Sequence, residues 1–355
     1  MYDPARTYDD NFDNGPFGEF SSPEIYQNEG EPQFNFLGYP VYSPFGIPAG
    51  PLLNSNYVIS SQKKGFDVVT YKTQRNVEFT ANAFPNVLYV DVDGDLTLEK
   101  ASNPLVGKTE TTADPTNLTI TNSFGNPSRG PKFWVDDLKK AVNAEGKGQL
   151  VIMSVVGTIQ PGFSDEDYYN DFAATAKIAS MTGVKAIEIN LSCPNVANEG
   201  ILCYTPDAVS EICRRTKEAI GDIPLIAKVG YYSDGQQGLL ETVVENMIPY
   251  VSAICAINTI AAPVVDDNGD QALPGPNRLK SGMCGAGIKW AGLDMVQRLS
   301  KIRETKGYKF EIIGVGGVMN ADDFLKYHSA GADLVQSATG AMWNANLGIQ
   351  IKKVL

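Results

Sequence analysis

The string Asn-Leu-Ser-Cys-Pro-Asn, at positions 190–195, sets one thiol between two amide side chains at the end of an apolar run. Other apolar runs also end in polar residues, namely Lys72-Thr73, Lys228 and Asn258-Thr259. Amides donate and accept hydrogen bonds, lysines bind anions or form Schiff bases, and a thiolate is a strong nucleophile. These residues include no carboxylate pair, triad or metal cage, so they indicate a site built on amides, two lysines and one cysteine.

The single histidine, His328, narrows the chemistry further. A zinc site with several histidines is excluded, and a Ser-His-Asp triad would need His328, which we interpret as structural. The number of cysteines is odd and no CxxC motif occurs, so the sequence encodes neither a disulfide framework nor an iron–sulfur cluster. This usage is typical of a reducing compartment, and the five cysteines are Cys193, Cys203, Cys213, Cys255 and Cys284.

Eight short apolar runs alternate with amphipathic stretches from residue 36 onward. Such runs indicate parallel strands buried on both faces, and eight units predict a (β/α)8 TIM barrel of the α/β class, with a doubly wound sheet as the alternative. In a barrel the working groups lie at the C-terminal ends of the strands, so the polar residues above would meet at one mouth. The predicted strands are Tyr42–Ala49, Asp67–Thr73, Leu150–Val156, Ala186–Leu191, Leu225–Val229, Ala253–Thr259, Glu311–Val315 and Leu334–Ser337.

Two turns of small residues follow the last two predicted strands. Residues 313–317 read Ile-Gly-Val-Gly-Gly and residues 336–340 read Gln-Ser-Ala-Thr-Gly, each before a helical pattern. Backbone N–H groups at helix N-termini can cradle a phosphate, and barrels commonly bind phosphate at this place. The turns do not match GxGxxG with a following acidic residue, which disfavours a Rossmann dinucleotide site.

The 355-residue chain has a net charge of −12, which argues against a nucleic-acid or anionic-membrane partner. Residues 1–34 hold eight acidic residues against one arginine, together with seven aromatic residues. We therefore predict an acidic, irregular arm (1–35) that wraps over the body or a second subunit, and a barrel (36–355) with a β-rich insertion at about 86–123.

Asp91, Asp93 and Asp95 are interpreted as a hairpin tip rather than a calcium loop. No leader or membrane-spanning run is found, so a cytoplasmic location is expected.

Taken together, these motifs resemble the dihydroorotate dehydrogenases. The most specific piece is the string at 190–195, and the lysine and asparagine strand ends, the 316–317 turn and the segment Asn-Ser-Phe-Gly-Asn-Pro at 122–127 follow in matching order. The flavin domain of dihydropyrimidine dehydrogenase is a close relative of that family. The resemblance runs from about residue 37 to the C-terminus and implies an FMN-binding barrel that oxidises dihydroorotate to orotate in pyrimidine biosynthesis.

The resemblance also implies individual roles. Cys193 would be the base that removes the C5 proton, while the hydride from C6 passes to the flavin. Lys228 would stabilise the negative charge that the hydride brings to the flavin. Substrate contacts are implied for Lys72, Asn122, Phe124, Gly125, Asn126, Asn190, Asn195, Asn258 and Thr259. Cofactor contacts are implied for Ala49, Gly50, Lys72, Thr73, Asn190, Lys228, Asn258 and Gly287, with Gly316, Gly317, Ala338 and Thr339 at the phosphate; no metal is implied.

The substrate loop departs from the family pattern, because Phe124, Asn126 and Ser128 replace the usual Met, Leu and Asn. Cysteine at 193 resembles the soluble branches, of which some are homodimers that use fumarate and others pass electrons through a partner subunit to NAD. We expect a fumarate-using homodimer without a membrane partner. The alternatives are an FMN enzyme for another dihydropyrimidine or related ring, a non-catalytic flavin-binding relative, and a Schiff-base aldolase using Lys72 or Lys228.

Overall fold

Eight parallel strands close into a barrel in the computed structural model, which describes residues 1–192 and 202–355. The strands are β1 Phe45–Ile47, β2 Val68–Gln74, β3 Leu150–Val155, β4 Ala186–Asn190, β5 Leu225–Val229, β6 Ala253–Ala256, β7 Glu311–Val315 and β8 Leu334–Gln336. Each pairs with the next along the chain, and β8 pairs with β1. The predicted (β/α)8 barrel is therefore confirmed, and closure excludes a doubly wound sheet.

Burial explains why the strands are visible in the sequence. Every residue of the eight barrel strands is buried except Glu311, which lies half-buried at the start of β7. Side chains that face the barrel interior and side chains that face the surrounding helices are thus both shielded from water, which favours continuous apolar runs over alternation. The predicted strands Tyr42–Ala49 and Ala253–Thr259 are longer than β1 and β6. Residues 42–44 precede β1 at the N-terminal end of the barrel, whereas residues 48–49 and 257–259 follow β1 and β6 at the mouth.

Helices surround the barrel, and sequence signals mark several of their ends. Ser164 begins one helix with a reciprocal capping box to Asp167, and Gly307 ends another in the left-handed conformation (φ 66°). The α-helices span Tyr8–Asn14, Ser55–Lys63, Leu98–Ala101, Pro131–Asn143, Asp165–Ser180, Pro206–Ile220, Gln237–Met247, Lys289–Lys306, Ala321–Ser329, Thr339–Trp343 and Leu347–Lys352. Within the described ranges, none of the helices is both long and apolar enough to cross a bilayer.

A second, five-stranded sheet also closes on itself and extends from the C-terminal end of β6. Its strands are Tyr89–Val90, Leu105–Lys108, Thr119–Asn122, Ile260–Val265 and Lys280–Gly285. The first three lie in the segment predicted to be β-rich, whereas the last two are not evident from sequence because Pro263, Gly282 and Gly285 interrupt their pattern. The aspartates 91–95 lie in the connection between the first two strands, which is longer than a tight hairpin because it contains the helix Leu98–Ala101.

Smaller elements complete the chain. A hairpin of Phe34–Phe36 and Tyr39–Val41 lies at the N-terminal end of the barrel, where the backbone N–H of Leu37 donates to Glu311 (2.9 Å). The two-residue strands Glu78–Phe79 and Ser128–Arg129 pair beside the mouth. Short 3-10 turns span Gly18–Ser21, Pro115–Asn117, Leu202–Tyr204, Asp234–Gln236 and Ala286–Ile288.

The N-terminal segment packs on the barrel of its own chain. It is irregular apart from the helix Tyr8–Asn14, which Thr7 caps, and the 3-10 turn that follows. Aromatic side chains attach the segment to the barrel, because four of them are buried: Tyr2, Tyr8, Phe12 and Phe20. The division of the chain into arm and barrel near residue 35 stays a prediction.

Candidate functional site

A cavity opens at the C-terminal ends of the barrel strands and holds about 600 Å³ of empty space, part of which is open to solvent. The walls come from β5, from the segments after β1, β6 and β8, and from the strand Thr119–Asn122. Nine residues singled out in the sequence line the cavity: Ala49, Gly50, Asn122, Phe124, Lys228, Asn258, Thr259, Ala338 and Thr339.

Amide side chains on one wall are held by one another. Asn258 Nδ2 donates to Asn190 Oδ1 (3.1 Å) and also to the carbonyl oxygen of Ser192, whose backbone N–H donates to Asn190 Oδ1 (3.1 Å). Asn190 ends β4 and lies behind the cavity lining, so it orients Asn258, which lies at the surface of the cavity. Thr259 lines the same wall, and its Oγ1 has no hydrogen-bond partner among the described residues. This wall therefore offers a fixed amide and an unsatisfied hydroxyl to a ligand.

The two lysines of the mouth differ in position. Lys228 lies in β5 in register with Asn190, is 5% exposed and lines the cavity. Its ammonium donates no hydrogen bond to any described residue and forms no ion pair with one. Because Lys228 lines the cavity, a ligand there could accept hydrogen bonds from its ammonium group. Lys72 lies in β2, is 3% exposed and lies outside the lining.

Thr73 is directed into a polar network of the barrel interior. Its hydroxyl lies 3.0 Å from that of Ser154, which in turn donates to the carboxylate of the buried Glu188 (2.9 Å). Thr73 therefore does not line the cavity in this structure, and its predicted cofactor contact stays a prediction.

Glycines shape the turn after β7. Gly317 has φ 66°, and a Cβ there would lie 2.7 Å from Lys289 Cβ and 2.8 Å from the carbonyl oxygen of Gly285, so the position requires glycine. Gly316 (φ 137°) precedes it, and the backbone N–H of Gly287 donates to Thr119 Oγ1 (3.0 Å). Gly287, Gly316 and Gly317 lie outside the cavity lining, whereas Ala338 and Thr339, after β8, belong to it.

The loop after strand Thr119–Asn122 contributes Phe124 to the cavity, while Gly125 and Asn126 lie outside the lining. Arg75 fixes the C-terminal part of this loop, since its Nε donates to the carbonyl oxygen of Asn126 (3.0 Å).

Arg278 fixes the N-terminal part of the loop, at Ser123. Its role was not evident from the sequence. Its guanidinium is 6% exposed and donates to Ser123 Oγ (3.0 and 3.1 Å). It also donates to four carbonyl oxygens, those of Ala83 (2.7 Å), Pro85 (3.0 Å), Ser123 (3.1 Å) and Pro274 (2.5 Å). Because Ser123 lies between Asn122 and Phe124, Arg278 fixes the backbone from which two cavity side chains project. No local motif marks this arginine, whose acceptors Ser123 and Ala83 lie 155 and 195 positions earlier in the chain.

Tyr2 and Cys284 are among the cavity residues that were not predicted. Tyr2 lies in the acidic arm, and Cys284 lies in the strand Lys280–Gly285, which itself was not predicted. Burial raises the pKa of Cys284 to about 12 and that of Cys203 to about 11. Both are therefore neutral thiols near pH 7. The two predicted residues Cys193 and Asn195 lie outside the described residues.

The sequence model of the dihydroorotate dehydrogenase family matches residues 99–354. A dihydroorotate dehydrogenase of Dictyostelium discoideum is 36% identical over 359 aligned residues, which cover 99% of this chain and 96% of the relative. A dihydroorotate dehydrogenase A (fumarate) of Limosilactobacillus reuteri is 29% identical over 49% of this chain and 53% of its own length. The catalytic subunit of a dihydroorotate dehydrogenase B (NAD(+)) of Methanocaldococcus jannaschii is 27% identical over 62% and 66%.

Among solved structures, a dihydroorotate dehydrogenase of Eimeria tenella in complex with ferulenol superimposes with a TM-score of 0.70. The superposition covers 94% of this chain and 86% of that chain at 17% sequence identity. At this identity the likeness establishes the fold alone.

Proposed function

Since this chain belongs to the dihydroorotate dehydrogenase family, we propose that the cavity at its barrel mouth binds FMN and that Cys193 is the base of the reaction. The enzyme is an oxidoreductase that acts on a CH–CH bond and oxidises dihydroorotate to orotate, a step of pyrimidine biosynthesis. The observation that supports the proposal most strongly is the match over 99% of the chain, together with a cavity at the place where such barrels act.

The side chains of the cavity fit FMN. Lys228 brings an ammonium group to the cavity lining, and the hydroxyl of Thr259 has no hydrogen-bond partner among the described residues. When bound, the flavin supplies the acceptor for the hydride from C6 of the substrate. Lys228 would lie against the polar edge of the ring and stabilise the negative charge that arrives with the hydride. Ala49 and Gly50 would back the ring, and Gly316, Gly317, Ala338 and Thr339 would hold the phosphate.

Substrate recognition is proposed for the amide wall. Dihydroorotate has a ring edge that both donates and accepts hydrogen bonds, which suits asparagine side chains. Asn258 is already oriented by Asn190, and Asn122 and Phe124 face the same cavity. The proposed substrate set is completed by Lys72, Gly125, Asn126, Asn190, Asn195 and Thr259.

Proton removal is proposed for Cys193. The thiolate would take the proton from C5, breaking the C–H bond, and the two electrons leave C6 with the hydride, so that a C5–C6 double bond forms. Cys203 and Cys284 do not compete for this role, because burial raises their pKa values and keeps both thiols protonated near pH 7. Cys193 is thus the cysteine proposed to ionise.

Anaerobic reduction of the bound cofactor tests this function. The purified protein, reconstituted with FMN, should be yellow and should be bleached by dihydroorotate but not by dihydrouracil, which has no carboxylate. Bleaching by dihydrouracil alone would favour a neutral-ring oxidoreductase. FMN binding without bleaching by either compound would indicate a non-catalytic relative, and a protein that cannot be loaded with FMN would refute the proposal.

For the electron acceptor we propose fumarate, and for the assembly a homodimer in the cytoplasm. The fumarate-using relative from Limosilactobacillus reuteri supports the first, although an NAD-linked catalytic subunit is similar over a larger share of this chain. Reoxidation of the reduced enzyme by fumarate, NAD and a quinone, measured in parallel with the mass of the particle in solution, distinguishes these possibilities.

A further inference from the structure

The N-terminal arm contributes one side chain to the cavity. Tyr2 lines it and is 6% exposed, and its ring packs edge-on against that of Phe124, with 5.4 Å between the ring centroids. The geometry is that of a T-shaped aromatic pair. Pro51, Val87 and Met342 also line the cavity and add apolar surface to it. Lys228 and the amide of Asn258 supply polar groups to the same cavity.

The hydroxyl of Tyr2 has no hydrogen-bond partner among the described residues. A buried hydroxyl of this kind is unusual, since nearly all buried polar side chains find a partner in the protein or in solvent. Burial also raises the pKa of Tyr2, so the group is a neutral donor. Because Tyr2 lines the cavity, a ligand in the cavity can supply the missing acceptor.

Contacts along the arm fix the position of Tyr2. The carbonyl oxygen of Asn11 accepts from Tyr57 Oη (2.7 Å), and that of Phe12 accepts from Asn54 Nδ2 (2.8 Å). Asp9 pairs with Arg129 (2.8 Å) beside the substrate loop. The helix that follows Tyr2 is therefore docked on the barrel by backbone and charged contacts that do not involve Tyr2.

We propose that Tyr2 is a binding residue of the cofactor cavity, with its ring forming the wall beside Phe124 and its hydroxyl donating a hydrogen bond to the bound FMN. The inference rests on the proposed FMN site and adds to it a residue from the acidic arm. The arm then has a function beyond covering the barrel, because it completes the site in which the flavin is held.

The test is equilibrium binding of FMN to the apoprotein, followed by flavin fluorescence, with a C-terminal affinity tag that leaves Tyr2 unaltered. Tyr2→Phe removes only the hydroxyl and should raise the Kd for FMN by about threefold to tenfold, as expected for the loss of one hydrogen bond. Tyr2→Ala also removes the wall and should raise the Kd further. The matched control is Tyr8→Phe, because Tyr8 is a buried arm residue that packs on the same Phe124 (6.0 Å) but does not line the cavity.

An unchanged Kd in both Tyr2 variants, with normal binding by the wild type, would overturn the inference and leave the proposed function intact. An equal loss in Tyr8→Phe would also overturn it, since the effect would then come from docking of the arm. A wild-type protein that binds no FMN would instead remove the proposed function itself. Far-ultraviolet circular dichroism of each variant checks that the barrel is folded.

Discussion

Replacing Arg278 by methionine tests whether the substrate loop is held by a distant arginine. The guanidinium serves five acceptor atoms, namely Ser123 Oγ and the carbonyl oxygens of Ala83, Pro85, Ser123 and Pro274. Methionine fills much of the same space but donates no hydrogen bond. The variant should therefore lose stability and should also misplace Asn122 and Phe124, which flank Ser123.

The expected size follows from the contacts. A hydrogen bond to a charged group contributes about 1.5–3 kcal/mol, but bonds that share one guanidinium do not add in full. We expect a loss of about 3–5 kcal/mol, equivalent to about two such bonds. The entropy of unfolding of a chain of 355 residues is about 0.7 kcal/mol/K, so the melting temperature should fall by about 4–7 °C. Displacement of the loop should weaken orotate binding about tenfold or more.

The assay combines scanning calorimetry with orotate titration of the FMN-loaded protein. Arg303→Met is the matched control, because Arg303 donates to the carbonyl oxygens of Phe310 (3.0 Å) and Gly331 (3.2 Å) at the opposite end of the barrel. It should also lower the melting temperature but leave orotate affinity unchanged. The reasoning fails if Arg278→Met melts within about 1 °C of the wild type, or if the two variants weaken orotate binding equally.

Three further predictions concern separate residues. Lys228→Met should raise the Kd for FMN about tenfold or more, since it removes the only cavity ammonium among the described residues, and an unaltered titration of the apoprotein would contradict this. Gly317→Ala should cost about 1–3 kcal/mol because of its left-handed φ and the contact with Lys289, whereas Gly238→Ala, on an open helix position, should be neutral or stabilising; calorimetry separates the two. Glu211 accepts hydrogen bonds from Arg214 and Arg215, which lower its pKa from 4.5 to about 2, so its contribution to stability is present above about pH 4.5 and is lost as the pH falls towards 2. The urea midpoint of Glu211→Gln should thus lie below that of the wild type at pH 7, and the difference should disappear on acidification.

The barrel could be predicted because its signals are local. Strands such as Leu225–Val229 are buried on both faces and read as continuous apolar runs. The helices Asp165–Ser180 and Pro206–Ile220 begin at local signals, Ser164 and Pro206, and Gly221 follows the end of the second. Capping and proline preferences depend on a few neighbouring residues, so helix ends of this kind can be predicted from a single sequence.

The second sheet and the missed site residues depend on contacts between distant segments. Strand Lys280–Gly285 contains two glycines and is ordered by pairing with Thr119–Asn122, more than 150 residues earlier. Tyr2 reaches the cavity only because the arm docks along the outside of the barrel.

The departure at Phe124 has a structural explanation. Its ring packs against Tyr2 and Tyr8 of the arm, so the aromatic residue at this position fits a loop that is covered by aromatic side chains. Sequence alone identified the change from the family pattern, but only the fold relates it to the arm.

The central claim is that Cys193 removes the C5 proton while FMN accepts the hydride, and the rate of flavin bleaching by dihydroorotate under anaerobic conditions tests it most directly. Cys193→Ala should retain FMN and bind orotate but reduce the flavin about a hundredfold or more slowly, which is the lower range for loss of a general base. Cys284→Ala, which removes the neutral thiol that lines the cavity, should bleach at nearly the wild-type rate. Wild-type bleaching by Cys193→Ala, or loss of bleaching in Cys284→Ala instead, would contradict the account.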